Sequence, residues 1–353
     1  MPSLHLPYLW MLCGAAAFAV MAVLTSELRQ QFSWPWIAAA RSGWAFLFAA
    51  LLVLLSGSQF LILRPLTLWW RSIAGSISLL CGFYAMTHYD VSVVLTLTNV
   101  YPIWVAILSW PMLGVVPSTD TWLAAVLSVA GVAVLASEIP AADTLSPERL
   151  SSLRDVVAAA DMPQGFGAHW AIGASLVSAF TSAVALLGLH RLRGLDHRAV
   201  VVHFSGTAFV FCLVAAAFWP EVAVHEPHPP LVWGLLFAVG LSATVGQLFL
   251  TRAFAYGDPA RVSVVGLSQV CFAMLLESAW HHRTYSVRSL LGMAMVILPT
   301  AWVMWRSRYR RHGHDEPLAT PPDSESLDWR VSDKGGAVVE QAEMVIASSR
   351  HTE

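Results

Sequence analysis

Long apolar stretches alternate with short polar breaks along the first 305 residues, and ten of them are nearly free of charge. A helix rises ~1.5 Å per residue, so roughly 20 apolar residues match the ~30 Å hydrocarbon core of a bilayer. The pattern predicts spans over Leu6–Ser26, Trp34–Ser56, Ser72–Tyr89, Val91–Gly114 and Thr121–Ser137. After a polar interval it predicts five more, over His169–Leu189, Ala199–Trp219, Leu231–Thr251, Val262–Trp280 and Ser289–Trp305. Ten such runs do not fit inside a soluble globule of 353 residues. Barrel strands would alternate over ~10 residues, which these runs do not do. Helices are the remaining way to satisfy a backbone in lipid. The fold class expected is therefore all-α, a polytopic membrane protein with ten transmembrane helices.

Five spans, a long link and five spans make two equal halves, and an odd number per half inserts the second half inverted. The halves are read as residues 1–137 and 169–311, with an external linker over 138–168 and a disordered cytoplasmic tail over 312–353. Weak internal similarity supports the repeat. The run Ala85-Met86-Thr87-His88-Tyr89-Asp90 lines up with Ala253-Phe254-Ala255-Tyr256-Gly257-Asp258. Each is followed by a β-branched run, Val91-Ser92-Val93-Val94 and Val262-Ser263-Val264-Val265. Inverted repeats are a recurrent plan of secondary transporters, with the substrate site near the midplane between the halves.

Composition and charge add orientation. Hydrophobic residues make up 57% and charged residues 12%, against ~25% charged in soluble domains. With the N-terminus inside, eleven arginines fall in the inner connections and five in the outer ones. Both termini are therefore read as cytoplasmic, and a bacterial inner membrane suits the short connections. Span 1 has no Lys or Arg before Glu27 and an apolar run longer than ~7–15 residues, so it reads as a retained span. The cysteines Cys13, Cys81, Cys212 and Cys271 lie in apolar stretches and predict no disulfide framework. No Gly-rich phosphate loop, nucleophile–base pair, metal-ligand spacing or basic nucleic-acid face stands out. No cofactor and no metal are expected. The partners expected are a small-molecule substrate and membrane lipid, with no nucleic acid; a homodimer is compatible with the plan.

Polar groups inside hydrocarbon are costly, so they face a cavity or a partner. Glu277 lies about 22 Å along the ninth span. It reads as a proton-coupling carboxylate or counter-ion, or as a carboxylate snorkelling to the outer surface. Arg41 lies about 10 Å into the second span and reads as a partner of Glu277, a snorkelling cation or a substrate counter-ion. Asn99, Tyr101, Pro102 and Trp104 cluster in the fourth span, where Pro102 removes a backbone donor. A broken span there is a substrate-site device; an ordinary proline kink is the alternative. Gln269 near the middle of the ninth span is a candidate substrate ligand. Tyr84 and Trp104 can stack on a planar substrate or simply pack. Gln247 and His203 read as interhelical hydrogen-bond contacts. The site is expected where spans 3, 4, 8 and 9 meet.

Arg41, Phe83-Tyr84-Ala85, Pro102-Ile103-Trp104, Leu113-Gly114 and the small-residue fifth span around Gly131 carry a family resemblance. The chain resembles the ten-helix EamA-type members of the drug/metabolite transporter superfamily over about residues 8–305. Val115 and Arg283 stand where that family often has Glu after Leu-Gly, so no role is carried over to those positions. The resemblance implies alternating-access transport of a small metabolite, whether amino-acid-like, nucleoside-like or cofactor-like. A membrane-embedded enzyme or a non-transporting sensor is the alternative. An enzyme would gather several catalytic-type polar groups at one depth, and a sensor would need a folded cytoplasmic module.

The predicted topology gives a direct test. A reporter fused after Arg311 is expected on the cytoplasmic side and one inserted near Pro147 outside. Finding both on one side removes the inversion.

Overall fold

The computed structural model describes residues 6–28, 32–57, 65–88, 91–137, 166–218, 230–281 and 286–309. The tail over 312–353 and most of the linker lie outside the described residues. The first half contains α1 (Leu6–Leu28), α2 (Trp34–Ser56), α3 (Leu66–His88), α4 (Val91–Thr98), α5 (Tyr101–Leu113) and α6 (Thr119–Ala136). The second contains α7 (Phe166–Arg191), α8 (His197–Phe218), α9 (Pro230–Tyr256), α10 (Pro259–Gly266), α11 (Ser268–His281) and α12 (Val287–Tyr309). The twelve helices form ten spans, because α4 with α5 and α10 with α11 each cross the bundle as two pieces. Among the described residues, nine segments are long and apolar enough to cross a membrane.

The tenth span is α3, and it corrects the sequence reading. It starts at Leu66, directly after Pro65, six residues earlier than expected. Arg71, counted above as a loop residue, is therefore inside the helix and only 4% exposed. Ser72, Ser76 and Ser78 are buried with it. These groups lower the hydropathy of α3, and each serine hydroxyl is hydrogen-bonded inside the bundle. A lipid-facing helix could not carry such a stripe.

Local signals set the helix ends. Gly57 (φ 67°) and Gly114 (φ 71°) close α2 and α5 in the left-handed conformation that glycine adopts without strain. Asp258 caps α10 by accepting from the backbone N–H of Ala260 at 3.1 Å and Arg261 at 3.4 Å. Small residues fill the helix contacts: Ala15, Ala19, Ala38, Ala49, Ala125 and Ala183 are buried, while Leu54, Leu55, Trp110, Phe218 and Leu298 face outward. That distribution suits lipid, where close backbone approach replaces the hydrophobic drive between helices.

The packing repeats itself under an inverted two-fold relation. The helix α1 packs along α9, and its counterpart α7 packs along α3. The helices α2 and α8 pack on each other, as do α6 and α12. The contact of α2 with α9 is mirrored by that of α3 with α8, and α1 on α10–α11 by α7 on α4–α5. The chain is thus two inverted five-helix repeats. The α6–α12 seam is close: a Cβ on Gly131 would lie 2.8 Å from the Met295 Cβ and 2.9 Å from the Gly292 carbonyl oxygen.

Both breaks fall in equivalent spans. In the first, Asn99 Nδ2 donates to the Leu95 carbonyl at 2.8 Å, just before Pro102 opens the ladder. The second was expected as one continuous helix. There the Leu267 N–H turns back to the Val264 carbonyl at 3.1 Å, which deprives the Ser263 carbonyl of its helical donor. The Tyr101 hydroxyl fills that gap, donating to Ser263 O at 3.1 Å. One half's break thereby satisfies the other's.

Two substitutions test this packing. Tyr101→Phe keeps the ring and orphans the Ser263 carbonyl, and should cost about 1–3 kcal/mol, seen as a lower unfolding midpoint in detergent. Gly131→Leu has no room at the α6–α12 seam and should cost at least about 1–3 kcal/mol, seen as loss of the monodisperse peak in size-exclusion chromatography. A tolerated Gly131→Leu would contradict the close helix contact.

Candidate functional site in a cleft between the halves

A cleft opens where α2, α3, α8 and α9 meet. Arg41, Ser42 and Ala45 wall it from α2, Leu79 from α3, Phe204 and Ser205 from α8, and Ala243 and Gln247 from α9. Its lining obeys the repeat. Arg41 and Ser42 are the eighth and ninth residues of α2, and Phe204 and Ser205 hold the same places in α8. Leu79 and Gln247 each lie eleven residues before the aligned Asp90 and Asp258. The cleft therefore straddles the pseudo-two-fold relation between the halves. Its cavity volume is about 10 Å³, room for about one water and far below the ~300 Å³ at which small-molecule pockets begin.

The polar groups around the cleft have unequal shares of partners. The Arg71 guanidinium sits 3.9 Å over the Phe204 ring and donates through Nη2 to Gln247 Oε1 at 3.3 Å. Its Nε and Nη1 are buried without a hydrogen-bond acceptor. Arg41 faces the cleft half-buried, and its Nε is likewise buried without an acceptor. His203 Nδ1 meets the Ser72 hydroxyl at 2.8 Å, and the Trp69 ring stands edge-on to the imidazole at 4.6 Å. Gln247 and His203 thus act as the interhelical contacts read from sequence. Ser78 ties α3 to Ser178 and Ser182 of α7.

The bundle is pinned at both ends. At the face where α1 begins, here the near face, Arg191 donates to the Met112 carbonyl, with Nε at 3.1 Å. Arg306 pairs with Asp120 at 3.0 Å, and His190 Nδ1 donates to the Phe254 carbonyl at 3.0 Å. Tyr8, Met11 and Leu68 pack there against Leu189, Phe254 and Val262 of the other half. Towards the far face, Leu28 and Ile37 pack against Val232 and Leu236.

The remaining sequence candidates lie away from this cleft. Tyr101 reaches the second break as described, and a Cβ on Gly266 would meet its hydroxyl at 2.5 Å. Trp104 packs edge-on to Phe180 at 5.4 Å, and its indole N–H is buried without an acceptor. Asn99 is half-buried, with Nδ2 on its own helix. Gln269 is half-buried at the start of α11 and makes no hydrogen bond to a described residue. It lies eleven residues past Asp258, as Tyr101 lies eleven past Asp90. Tyr84 is half-buried on α3. The cleft lies between spans 2, 3, 7 and 8, whereas at the expected meeting of spans 3, 4, 8 and 9 Tyr101, Val129, Leu267 and Cys271 pack around the second break. Glu277 is half-buried on α11 and does not pair with Arg41. The helix carrying Arg41 packs chiefly on α8 and α9. Sequence reasoning missed Arg71; Pro65 before Leu66 was the helix-start signal that would have found it. Among the described residues no group of His, Cys, Asp or Glu could hold a metal.

Comparisons with known proteins match this architecture. The chain is 26% identical to the pseudopaline exporter CntI of Pseudomonas aeruginosa over 203 residues, which cover 57% of this chain and 62% of the exporter. It is 25% identical to the probable transporter vicT of Bipolaris victoriae over 270 residues, 75% of this chain and 73% of that one. A probable transport protein of Saccharomyces cerevisiae is 22% identical over 235 residues, 66% of each chain. A solved crystal structure superposes with a TM-score of 0.70 at 15% identity, covering 87% of this chain and 99% of that one, which shows the shared fold. The sequence model of the EamA-like transporter family matches residues 5–137 and again 165–305, one match per repeat. The chain belongs to the EamA-like transporter family.

Proposed function

We propose that the protein is a secondary transporter that moves a small metabolite across the membrane by alternating access, without changing it chemically. The observation that carries this reading is the cleft on the pseudo-two-fold relation, lined by equivalent residues of both repeats. A site between inverted repeats can be exposed to either side by rocking one repeat against the other. The cleft holds no metabolite as it stands, and apolar contacts with near-face hydrogen bonds join the halves on either side of it, so binding requires the halves to separate. Family membership and relatives named as transporters support the same reading.

The arginine bias orients the near face to the cytoplasm of a bacterial inner membrane, with both termini inside. The substrate contacts proposed are Arg41 and Gln247 in the cleft. Gln269 and the unpartnered Trp104 N–H join them as the halves separate, with Tyr84, Asn99 and Tyr101 near the path. Glu277, without an ion-pair partner among the described residues, is proposed as the coupling carboxylate.

Metabolite profiling of cells with and without the protein, followed by counterflow in proteoliposomes, tests transport. Absence of counterflow for every compound that profiling identifies would remove the transport reading. Glu277→Gln keeps shape and removes titration. It should abolish accumulation driven by a pH gradient and leave exchange intact. Normal gradient-driven accumulation by a well-expressed Glu277→Gln protein would sink the coupling role.

A further inference from the structure

We infer that the transported molecule is an anion, and that Arg41 in the cleft wall and Arg71 behind it are its counter-cations. This rests on the transport reading and names the substrate class of that same site.

Charge within the bundle is unbalanced. The described acidic side chains are Glu27, Asp120, Asp196, Asp258 and Glu277. Asp258 pairs with Arg261 and Asp120 with Arg306, both at the near face. No carboxylate among the described residues pairs with Arg41 or Arg71. A guanidinium stays charged in proteins, so neither side chain can escape the cost of burial by losing a proton. A buried charge without a partner is strongly unfavourable. Neither arginine reaches a compensating anion among the described residues, yet both have donors in place: Nε of Arg41, and Nε with Nη1 of Arg71.

Both side chains adjoin the cleft, one directly and one through its walls. Arg41 is one of its walls. Arg71 lies behind two other walls: its guanidinium is stacked on Phe204 and bonded to Gln247. The ring and the amide fix its plane, as pre-organised recognition of a carboxylate or phosphate requires. Arg41 lies about 10 Å from the far end of α2, and Arg71 about 8 Å from the near end of α3. Both arginines belong to the first repeat, at different depths on α2 and α3, with Ser42 and Ser205 at depths between them. An acidic group entering from one side meets Arg41 first and Arg71 last. Ser42, Ser205 and Gln247 supply neutral hydrogen bonds to the rest of the molecule, while Phe204 offers an apolar face.

Unfolding midpoints of the purified full-length protein in detergent test the inference. The probes are a set of metabolite carboxylates and phosphates, each beside its neutral amide or ester, with sodium chloride and inorganic phosphate as controls. All are used at equal ionic strength. One or more of the organic acids should raise the midpoint while its neutral analogue does not. Arg41→Gln and Arg71→Gln should each weaken that binding by about tenfold or more, the size of a lost charge-assisted hydrogen bond. Arg41→Lys should keep part of it. Without ligand, Arg41→Gln should melt at or above the wild-type midpoint, because it removes an unpaired buried charge; an arginine with a purely structural role would make the variant melt lower.

The inference is overturned if only neutral or cationic compounds stabilise the protein, or if no organic acid does. Stabilisation by chloride or inorganic phosphate alone overturns it as well, since that marks an ion site without a metabolite. It also fails if acid binding survives in both glutamine variants. Counterflow separates it from the transport reading. An acid that binds through both arginines and is not exchanged would defeat transport while leaving the anion site standing. Exchange of a neutral compound, unaffected by Arg41→Gln, would leave transport standing and defeat the anion site.

Discussion

Polar groups inside a lipid-facing bundle must find their partners within the chain, and that constraint governs most of what is distinctive here. Two spans are broken, and each break frees backbone groups that water cannot reach. At the first, Asn99 Nδ2 adds a second donor to the Leu95 carbonyl, which the Asn99 N–H already reaches. At the second, the repair comes from the other repeat, through the Tyr101 hydroxyl on Ser263. The same constraint gathers Ser72, Ser76 and Ser78 on the inner side of α3. It also accounts for the glycine contact between α6 and α12, since helices without a hydrophobic drive must approach closely to gain dispersion energy.

The inverted repeat was legible from span parity and the Asp90/Asp258 register. The structure extends that register well beyond the aligned stretch. Ser42 and Ser205 are the same residue at the same helix position. Arg41 and Phe204 are not, and that difference breaks the symmetry of the cleft chemically while the backbone keeps it. In the transport reading, a cation at one place and an aromatic ring at its counterpart would let the two halves of the cleft treat a substrate differently.

The span limits show what a sequence can and cannot carry. Trp34–Ser56 was read to the residue, because Ser33 and Pro35 mark its start and Gly57 its end. The start of α3 was misplaced because a lone arginine among tryptophans resembles a membrane-edge anchor. Only the fold reveals that Phe204 and Gln247, more than a hundred residues away, are there to receive it. Pro102 announced the first break. Nothing comparable announces the second, since the residue that satisfies its freed carbonyl sits in the other half. Arg41 was legible as an intramembrane charge, but its pairing with Glu277 was not a sequence question. Depth along two helices does not say whether those helices touch.

In the transport reading, the distribution of tight and loose contacts also suggests where motion is cheapest. The α6–α12 seam has glycine backbones in near contact, and shifting it would open voids or drive side chains into the opposite helix. The near-face pair Arg306–Asp120 is partly exposed and worth about 0–1 kcal/mol, so it resists little. The cleft itself is bordered by small side chains, Ser42, Ala45, Ser205 and Ala243. A repeat that pivots on α6–α12 would keep the glycine contact there, while parting α2 from α8 would have to lift Phe209 off Gly43 and Phe46 off Gly206. The unpaired arginines bias the same motion. Without an anion, opening toward either side relieves a buried charge by hydration; with one bound, the closed cleft supplies the partner that water would otherwise provide.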